Sequence, residues 1–383
     1  MRTIGVVTVA RSDYGLYLPV LRRIQAEPDL HLHLIVAGTH LSPDFGLTVR
    51  EIERSGFPIG ERVEMLLSSD TPEGIAKSMG LGTIGFAQAY ARFRPDILLV
   101  LGDRFEMHAA VVAALPFAIP VAHIHGGELT LGAIDDALRH SITKMSHLHF
   151  VATEEYARRV IQMGEEPWRV TVSGSPGLDS LLSTRPFNRE ELERRYRLDL
   201  SAPFLLVTYH PVTLETEQLE TQMNELLAAL DEVGMSTVFT YPNADTRSRL
   251  VIQMTREYAA ARPHVQVVVN LGTPGYVSAM RLAAAMVGNS SSGIIEAASF
   301  RLPVVNIGIR QQGRTRGKNV IDVGYGREEI VAGIRKALSP EFRASLADLT
   351  NPYGDGHAAE RIVRRLKEVE LNDQLLRKRF HEA

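Results

Sequence analysis

Two stretches of this chain bring together residue types able to do chemistry. Val100-Leu-Gly-Asp-Arg-Phe-Glu106 runs from apolar residues into an aspartate, an arginine and a glutamate, and Val287-Gly-Asn-Ser-Ser-Ser-Gly-Ile-Ile-Glu296 runs from apolar residues into hydroxyls and a glutamate. A carboxylate next to an arginine can move protons beside a bound anion. Ser290 and Ser291, at the start of a helix, offer hydroxyls and backbone N–H groups to phosphate, and Glu296 further on can accept hydrogen bonds from both hydroxyls of a ribose. The purely structural alternative is that the serines cap the helix and Glu296 complements its dipole.

Further candidates sit just beyond other apolar runs. Arg11, Arg104 and Arg310 each follow one, where arginines can neutralise a diphosphate of about two negative charges without a metal; singly, each is as well explained as a surface or ion-pair residue. Asp103 lies two residues past its run, placed for the partial desolvation that shifts a carboxyl pKa. His123, His125 and Glu128 flank Gly126-Gly127, whose missing side chains let the backbone approach a ligand, and Asp135, Asp136, Arg139 and His140 follow at a helix start. Zinc is not expected, because the i, i+4 histidine pair of a metalloprotease helix is missing. His210, in His210-Pro-Val-Thr213, is placed to support a departing phosphate or shuttle a proton, and Asn243 follows Tyr241-Pro242.

These residues need elements that present them together. Apolar runs predict buried parallel strands at 4–9, 32–37, 97–101, 120–124, 148–152 and 170–172, separated by amphipathic helices at 17–27, 87–94, 105–114, 134–144 and 154–163. After Gly174-Ser-Pro-Gly177 the pattern restarts, with strands at 204–208, 237–241, 265–269, 285–287 and 304–307 and helices at 217–233, 246–261, 275–284 and 293–299. The expected fold class is α/β, two Rossmann-like domains facing across a cleft, over 1–177 and 178–357. A closing segment, 358–383, carries a charged amphipathic helix over 358–379 that either crosses the hinge or packs on its own domain. The candidates then fall at the carboxyl ends of strands, where open parallel sheets bind ligands.

Composition sets the outer bounds. The 383 residues suit two domains, and 45% hydrophobic with 23% charged residues describe an ordinary globular protein. A net charge of -3 provides no basic field for nucleic acid. Cysteine is absent, which removes disulfides, thiolate catalysis and cysteine-ligated metals. No signal-peptide pattern or membrane span is read, so the expectation is a cytoplasmic protein with no membrane or nucleic-acid partner.

The ordered motifs Arg11-Ser-Asp-Tyr14, Gly102-Asp-Arg-Phe105, His123-Ile-His-Gly-Gly-Glu128, Asp135-Asp136 with Arg139-His-Ser-Ile-Thr-Lys144, His210-Pro-Val-Thr213, Pro242-Asn243, Gly288-Asn-Ser-Ser-Ser-Gly293 and Pro303-Val-Val-Asn-Ile-Gly-Ile-Arg-Gln311 resemble those of hydrolysing UDP-N-acetylglucosamine 2-epimerases, from Arg11 to about Gly356. The resemblance is nearest the bacterial branch that makes precursors of sialic acid and its relatives. It implies the GT-B fold and release of UDP with inversion at C2. It also places Arg11, Arg104, His210, Asn243, Ser290, Ser291, Glu296 and Arg310 around UDP. Relatives often carry a glutamate where this chain has His125, so that proton transfer could pass to His125, Glu128 or Asp135; the expected pair on the two faces of the ring is Asp103 and Asp135, with His125 and Glu128 adjacent and His210 assisting departure of the diphosphate.

The reaction implied is elimination to a 2-acetamidoglucal followed by hydration, needing neither NAD nor a metal. The absence of Gly-x-Gly-x-x-Gly after the first strand agrees with the former. UDP-N-acetylglucosamine, giving N-acetylmannosamine for sialic-acid-type synthesis, is the first expected substrate. The alternative is UDP-2,4-diacetamido-2,4,6-trideoxyglucose, on the legionaminic acid route. A non-hydrolysing epimerase is disfavoured by His210-Pro211 and a glycosyltransferase by Gly288 eight residues before Glu296. A non-catalytic sensor of nucleotide sugars would not need the carboxylates of the first domain. A homodimer or homotetramer is usual for the family.

Overall fold

In the computed structural model of the protein, residues 1–69, 71–130, 134–212, 217–242 and 247–382 are described. Contacts divide the chain into two units, Met1–Leu182 with Tyr353–Ala383, and Ser183–Pro352.

The first unit holds strands β1 (Arg2–Thr8), β2 (Leu30–Ala37), β3 (Ile59–Val63), β4 (Ile97–Leu101), β5 (Val121–Ile124), β6 (Leu148–Val151) and β7 (Val170–Val172) in one parallel sheet of order β3-β2-β1-β4-β5-β6-β7. Alternate side chains feed two cores. Ile4, Val6, Leu34 and Leu99 pack with Tyr17 and Leu21, and Val7, Ile35, Leu98 and Val100 pack on the opposite face with Phe86, Met107 and Val111. Order reverses between β1 and β4, so their carboxyl ends open a crevice carrying Arg11 on one side and Asp103 and Arg104 on the other.

The second unit repeats the plan with β8 (Phe204–Thr208), β9 (Ser236–Thr240), β10 (Val265–Val268), β11 (Ala285–Gly288), β12 (Val304–Ile307) and β13 (Val320–Val323), ordered β10-β9-β8-β11-β12-β13 and parallel throughout. Its crevice lies between β8 and β11, beneath Tyr209-His210 and Asn289-Ser290. Gly288 is obligatory here: its φ is 131°, and a Cβ would lie 2.0 Å from the Thr208 carbonyl oxygen.

Several elements differ from the sequence reading. The edge strands β3 and β13 were not predicted; Ile-Gly-Glu-Arg-Val and Val-Ile-Asp-Val are short and only partly buried. The helix expected over 87–94 runs over Pro72–Arg92, started by Thr71 Oγ1 accepting from the Gly74 N–H at 3.1 Å. Four glycines weaken its helical signal; at Gly82 the helix packs closely, so that a Cβ there would lie 3.1 Å from the Ala109 Cβ and would displace the end of Met65. The terminal helix does not run on to 379: it spans Ala358–Glu368, and Asn372 caps a new turn, Asp373–Leu376, by accepting from the Leu375 N–H. Ile362, Val363 and Leu366 lie in the first unit's core, and the Asp179 carboxylate accepts from the N–H groups of Ala358 and Ala359 at 3.0 and 2.7 Å. Among the described residues no helix is long and apolar enough to cross a membrane.

Candidate active site

In the first unit the functional side chains form one ionic chain. The helix Ile134–Met145 directs Arg139, a buried residue, at two carboxylates: it pairs with Asp103 through Nη2 and with Glu128 through Nη1 at 3.4 Å, and Nη2 also donates to Thr130 Oγ1 at 3.1 Å. Glu128 continues the chain to His125 Nδ1. An ionised carboxylate can only accept, so Nδ1 carries the imidazole proton and Nε2 keeps the lone pair. Nε2 is buried and has no hydrogen-bond partner. His125 holds φ at 66°, the left-handed region that a residue with a Cβ seldom occupies, which aims the ring at Glu128 and marks a site where backbone strain is tolerated.

Neighbouring groups tune this chain. Burial, then the negative charge of Asp103, raises the pKa of Asp135 in the first turn of the helix Ile134–Met145. Asp136 Oδ1 accepts from the Thr130 N–H at 2.8 Å, and its other oxygen lies 3.5 Å from His140 Nε2. His123 is a scaffold group: burial pushes it down to about 3, so it is neutral, and Nε2–H donates to the Gly102 carbonyl at 2.8 Å, fixing the turn before Asp103. Arg104 is gripped by the fully buried Glu106 in two bonds of 2.8 and 3.1 Å. Burial works to lower its pKa, and the Glu106 bond and charge, with the charges of Asp13 and Asp135, together more than offset it. Arg11 stands apart, an exposed residue 3.6 Å from Glu51.

The second unit is built from amides and hydroxyls. Asn289, fully buried after β11, accepts from the His210 N–H at 2.7 Å and donates to the His210 carbonyl at 2.8 Å, locking the backbone of that histidine. The Asn289 carbonyl in turn accepts from Arg310 Nη1 at 3.2 Å and Gln311 Nε2 at 2.8 Å. One asparagine thus gathers the ends of β8, β11 and β12. Ser290 precedes and Ser291 begins the short helix Ser291–Ile295, which Glu296 closes. Burial pushes the Glu296 carboxyl up to about 7, partly offset by a hydrogen bond from Ser292. The Tyr276 phenol hydrogen-bonds Ser292, Thr208 and Ser290 close to Glu296, and burial raises its pKa.

Asp103, His125, Glu128 and Asp135 are therefore brought to one place, and His210, Ser290, Ser291, Glu296 and Arg310 to another. Asn243, with Thr213, lies outside the described residues. Asn289 and Tyr276 were not singled out from the sequence, and Arg139 was named there without a role. Arg139 shows only as the same-face partner, one turn on, of Asp135 and Asp136, and nothing local marks Tyr276, which folding brings from the helix Gly272–Leu282. Among the described residues no three His, Asp or Glu side chains converge as metal ligands would; each carboxylate of the ionic chain already meets Arg139.

Residues 22–367 match the family described as UDP-N-acetylglucosamine 2-epimerase. The chain is 39% identical over 379 residues to the UDP-N,N'-diacetylbacillosamine 2-epimerase (hydrolyzing) of Legionella pneumophila, covering 99% of each. It is 40% identical to the GDP/UDP-N,N'-diacetylbacillosamine 2-epimerase (hydrolyzing) of Campylobacter jejuni, covering 99% of this chain and 98% of that one. It is also 33% identical to a UDP-N-acetylglucosamine 2-epimerase of Neisseria meningitidis, covering 99% of each. Among solved structures it resembles a UDP-GlcNAc 2-epimerase from Neisseria meningitidis bound to UDP-GlcNAc, with a TM-score of 0.75 and 19% identity over 96% of this chain and 99% of that one. The likeness establishes the fold, two Rossmann-like units of the GT-B type.

Proposed function

The chain belongs to the UDP-N-acetylglucosamine 2-epimerase family, among its hydrolysing members, and we propose that it releases UDP from a UDP-linked 2-acetamido sugar with inversion at C2. The observation that carries this reading is the chain from Asp103 through Arg139 and Glu128 to His125. It leaves one buried imidazole nitrogen without a hydrogen-bond partner, in a cluster whose Asp103 charge and burial pull the Asp135 carboxyl toward its protonated form. Groups whose environments push them apart in this way divide into base and acid.

His125 Nε2 takes the C2 proton as the C1–O bond breaks and its electron pair departs with UDP, leaving a C1=C2 double bond in a 2-acetamidoglucal. Asp135 then donates its proton to the other face of C2. Water adds at C1, returning a proton to Asp135, and His125 loses its own to released UDP or water. Asp103 and Arg139 hold Glu128 and the imidazole in register. Arg11, Arg104, Arg310 and His210 offset the charge of the leaving diphosphate. Ser290, Ser291 and Glu296 hold the nucleoside, with the ribose hydroxyls on Glu296. No step calls on a cofactor or a metal.

For the sugar, the relatives of 39% and 40% identity favour UDP-N,N'-diacetylbacillosamine, that is UDP-2,4-diacetamido-2,4,6-trideoxyglucose, ahead of the UDP-N-acetylglucosamine expected from sequence. The second reading retains support from the 33% identical relative. Phosphorus and proton NMR with each UDP-sugar in parallel tests both levels. Free UDP with a free manno-configured sugar is expected, formed faster from the diacetamido substrate. A UDP-sugar that merely equilibrates at C2 would contradict the hydrolysing assignment.

A further inference from the structure

A pocket of about 440 Å³ opens in the first unit beside the loop that carries Asp103, among the connections that follow β2, β3 and β4. That volume lies in the range that accepts a small ligand. One wall is apolar: Phe45, Leu67 and Ile75 line it, and Phe45 and Leu67 are 60% and 40% exposed, large side chains left without cover. Hydroxyls line the pocket too, Ser42 and Ser69 among them. Its charged lining residues are Asp44, at the exposed connection after β2, and Arg104 and Glu106, which are already bonded to each other in two hydrogen bonds.

We infer that this pocket receives the C4 and C6 substituents of the sugar and selects a 4-acetamido-6-deoxy ring over one bearing free hydroxyls at both carbons. The assignment rests on the reaction proposed above, which puts C1 and C2 at Asp103, Asp135 and His125. C4, C5 and C6 form the far edge of the same ring, a few bonds away. Arg104 connects the two places, since it follows Asp103 directly, senses the charge of Asp135 and forms part of the pocket wall. A C6 methyl and the methyl of a C4 acetamido group bury apolar surface against Phe45 and Leu67, and the amide finds partners in serine hydroxyls. A C6 hydroxymethyl would be desolvated against the same apolar wall with fewer partners.

The test is the ratio of kcat/KM for UDP-2,4-diacetamido-2,4,6-trideoxyglucose to that for UDP-N-acetylglucosamine, in the full chain and in Phe45→Ala, Leu67→Gln and Ser69→Ala, with thermal unfolding to verify the fold of each. Because Phe45 and Leu67 are exposed, their replacement should leave the fold intact. The unaltered protein is expected to prefer the diacetamido sugar. Phe45→Ala and Leu67→Gln should each lower that preference about tenfold, the scale of selectivity available to an apolar pocket, with much smaller changes for UDP-N-acetylglucosamine. Variants that change both substrates in equal proportion would overturn the pocket assignment alone, and an unaltered protein that prefers UDP-N-acetylglucosamine would overturn it together with the choice of sugar made above. Inactivity of the unaltered protein on both sugars would overturn the reaction and this assignment together.

Discussion

The two units solve one topological problem with different chemistry. Both place functional residues where the strand order reverses, between β1 and β4 in one and between β8 and β11 in the other. The first fills that place with an ionic chain, Asp103, Arg139, Glu128 and His125, whose members can exchange protons. The second fills it with an asparagine that clamps the His210 backbone, serine hydroxyls, a tyrosine and a carboxyl pushed up to about 7. Charged groups that hold one another in place suit the making and breaking of C–H bonds. Neutral donors fixed to the backbone suit holding a nucleotide without trapping it. A shared fold thus leaves each unit's task to the residues at its strand ends.

The largest effect expected from this contrast is in the first unit. Glu128→Gln removes the carboxylate that fixes the His125 tautomer, and Asp103→Asn removes the partner of Arg139. Each should lower kcat by about 10³, within the range of lost general acid–base catalysis, while the Kd for UDP measured by calorimetry changes less than about threefold. Equal losses in both quantities would erase the distinction between the units.

In the second unit, Asn289→Ala leaves the His210 N–H and carbonyl without their buried partner. Denaturant unfolding should show a loss of about 1–3 kcal/mol, and UDP binding should weaken together with it. A smaller and more diagnostic change is expected from Glu296→Gln. A carboxyl raised from 4.5 to about 7 favours folding while protonated and gives up that contribution as pH rises through about 7. The variant should therefore gain thermal stability relative to the unaltered protein between about pH 4.5 and 8. Its UDP affinity should fall about tenfold at pH 8, where the ionised carboxylate is the better ribose acceptor, and match the unaltered protein more closely at pH 6. A constant ratio across that range would remove Glu296 from the ribose.

The smallest effect probes what supports the ionic chain from behind. Lys378, in the closing segment, donates to the Lys144 and Ser146 carbonyls at 2.7 and 2.6 Å, at the far end of the helix that presents Asp135 and Arg139, and pairs with the buried Glu165. Lys378→Met should destabilise the first unit by about 1 kcal/mol and lower kcat severalfold with KM little changed, and Lys378→Arg should restore most of both. Unfolding and steady-state rates measured side by side would show whether the tail serves only stability.

Much of this contrast was legible in the sequence, and what escaped has identifiable causes. Strands buried on both faces, such as Ile-Leu-Leu-Val-Leu in β4, read directly as apolar runs, and their ends delivered Asp103, His125, His210 and Glu296. Edge strands β3 and β13 did not, because a strand half exposed at a sheet margin carries polar residues that no run detects. The same limit applied to the site. Arg139 was visible as one residue of a motif, but its bridge between Asp103 and Glu128 joins residues 36 and 11 positions away through tertiary packing. Tyr276 has no local mark of function at all; only its closeness to Ser290, Ser292 and Glu296 gives it one.

The most direct test of the whole account is isotope content at C2 of the sugar released in deuterated water, read by mass spectrometry after a single turnover. The account predicts one solvent deuterium at C2 in every molecule of free manno-configured sugar, including the product that Glu128→Gln forms slowly. Release of a sugar that retains its original C2 proton would show that the bond to UDP is hydrolysed without elimination. The acid–base assignment of the first unit would then be wrong.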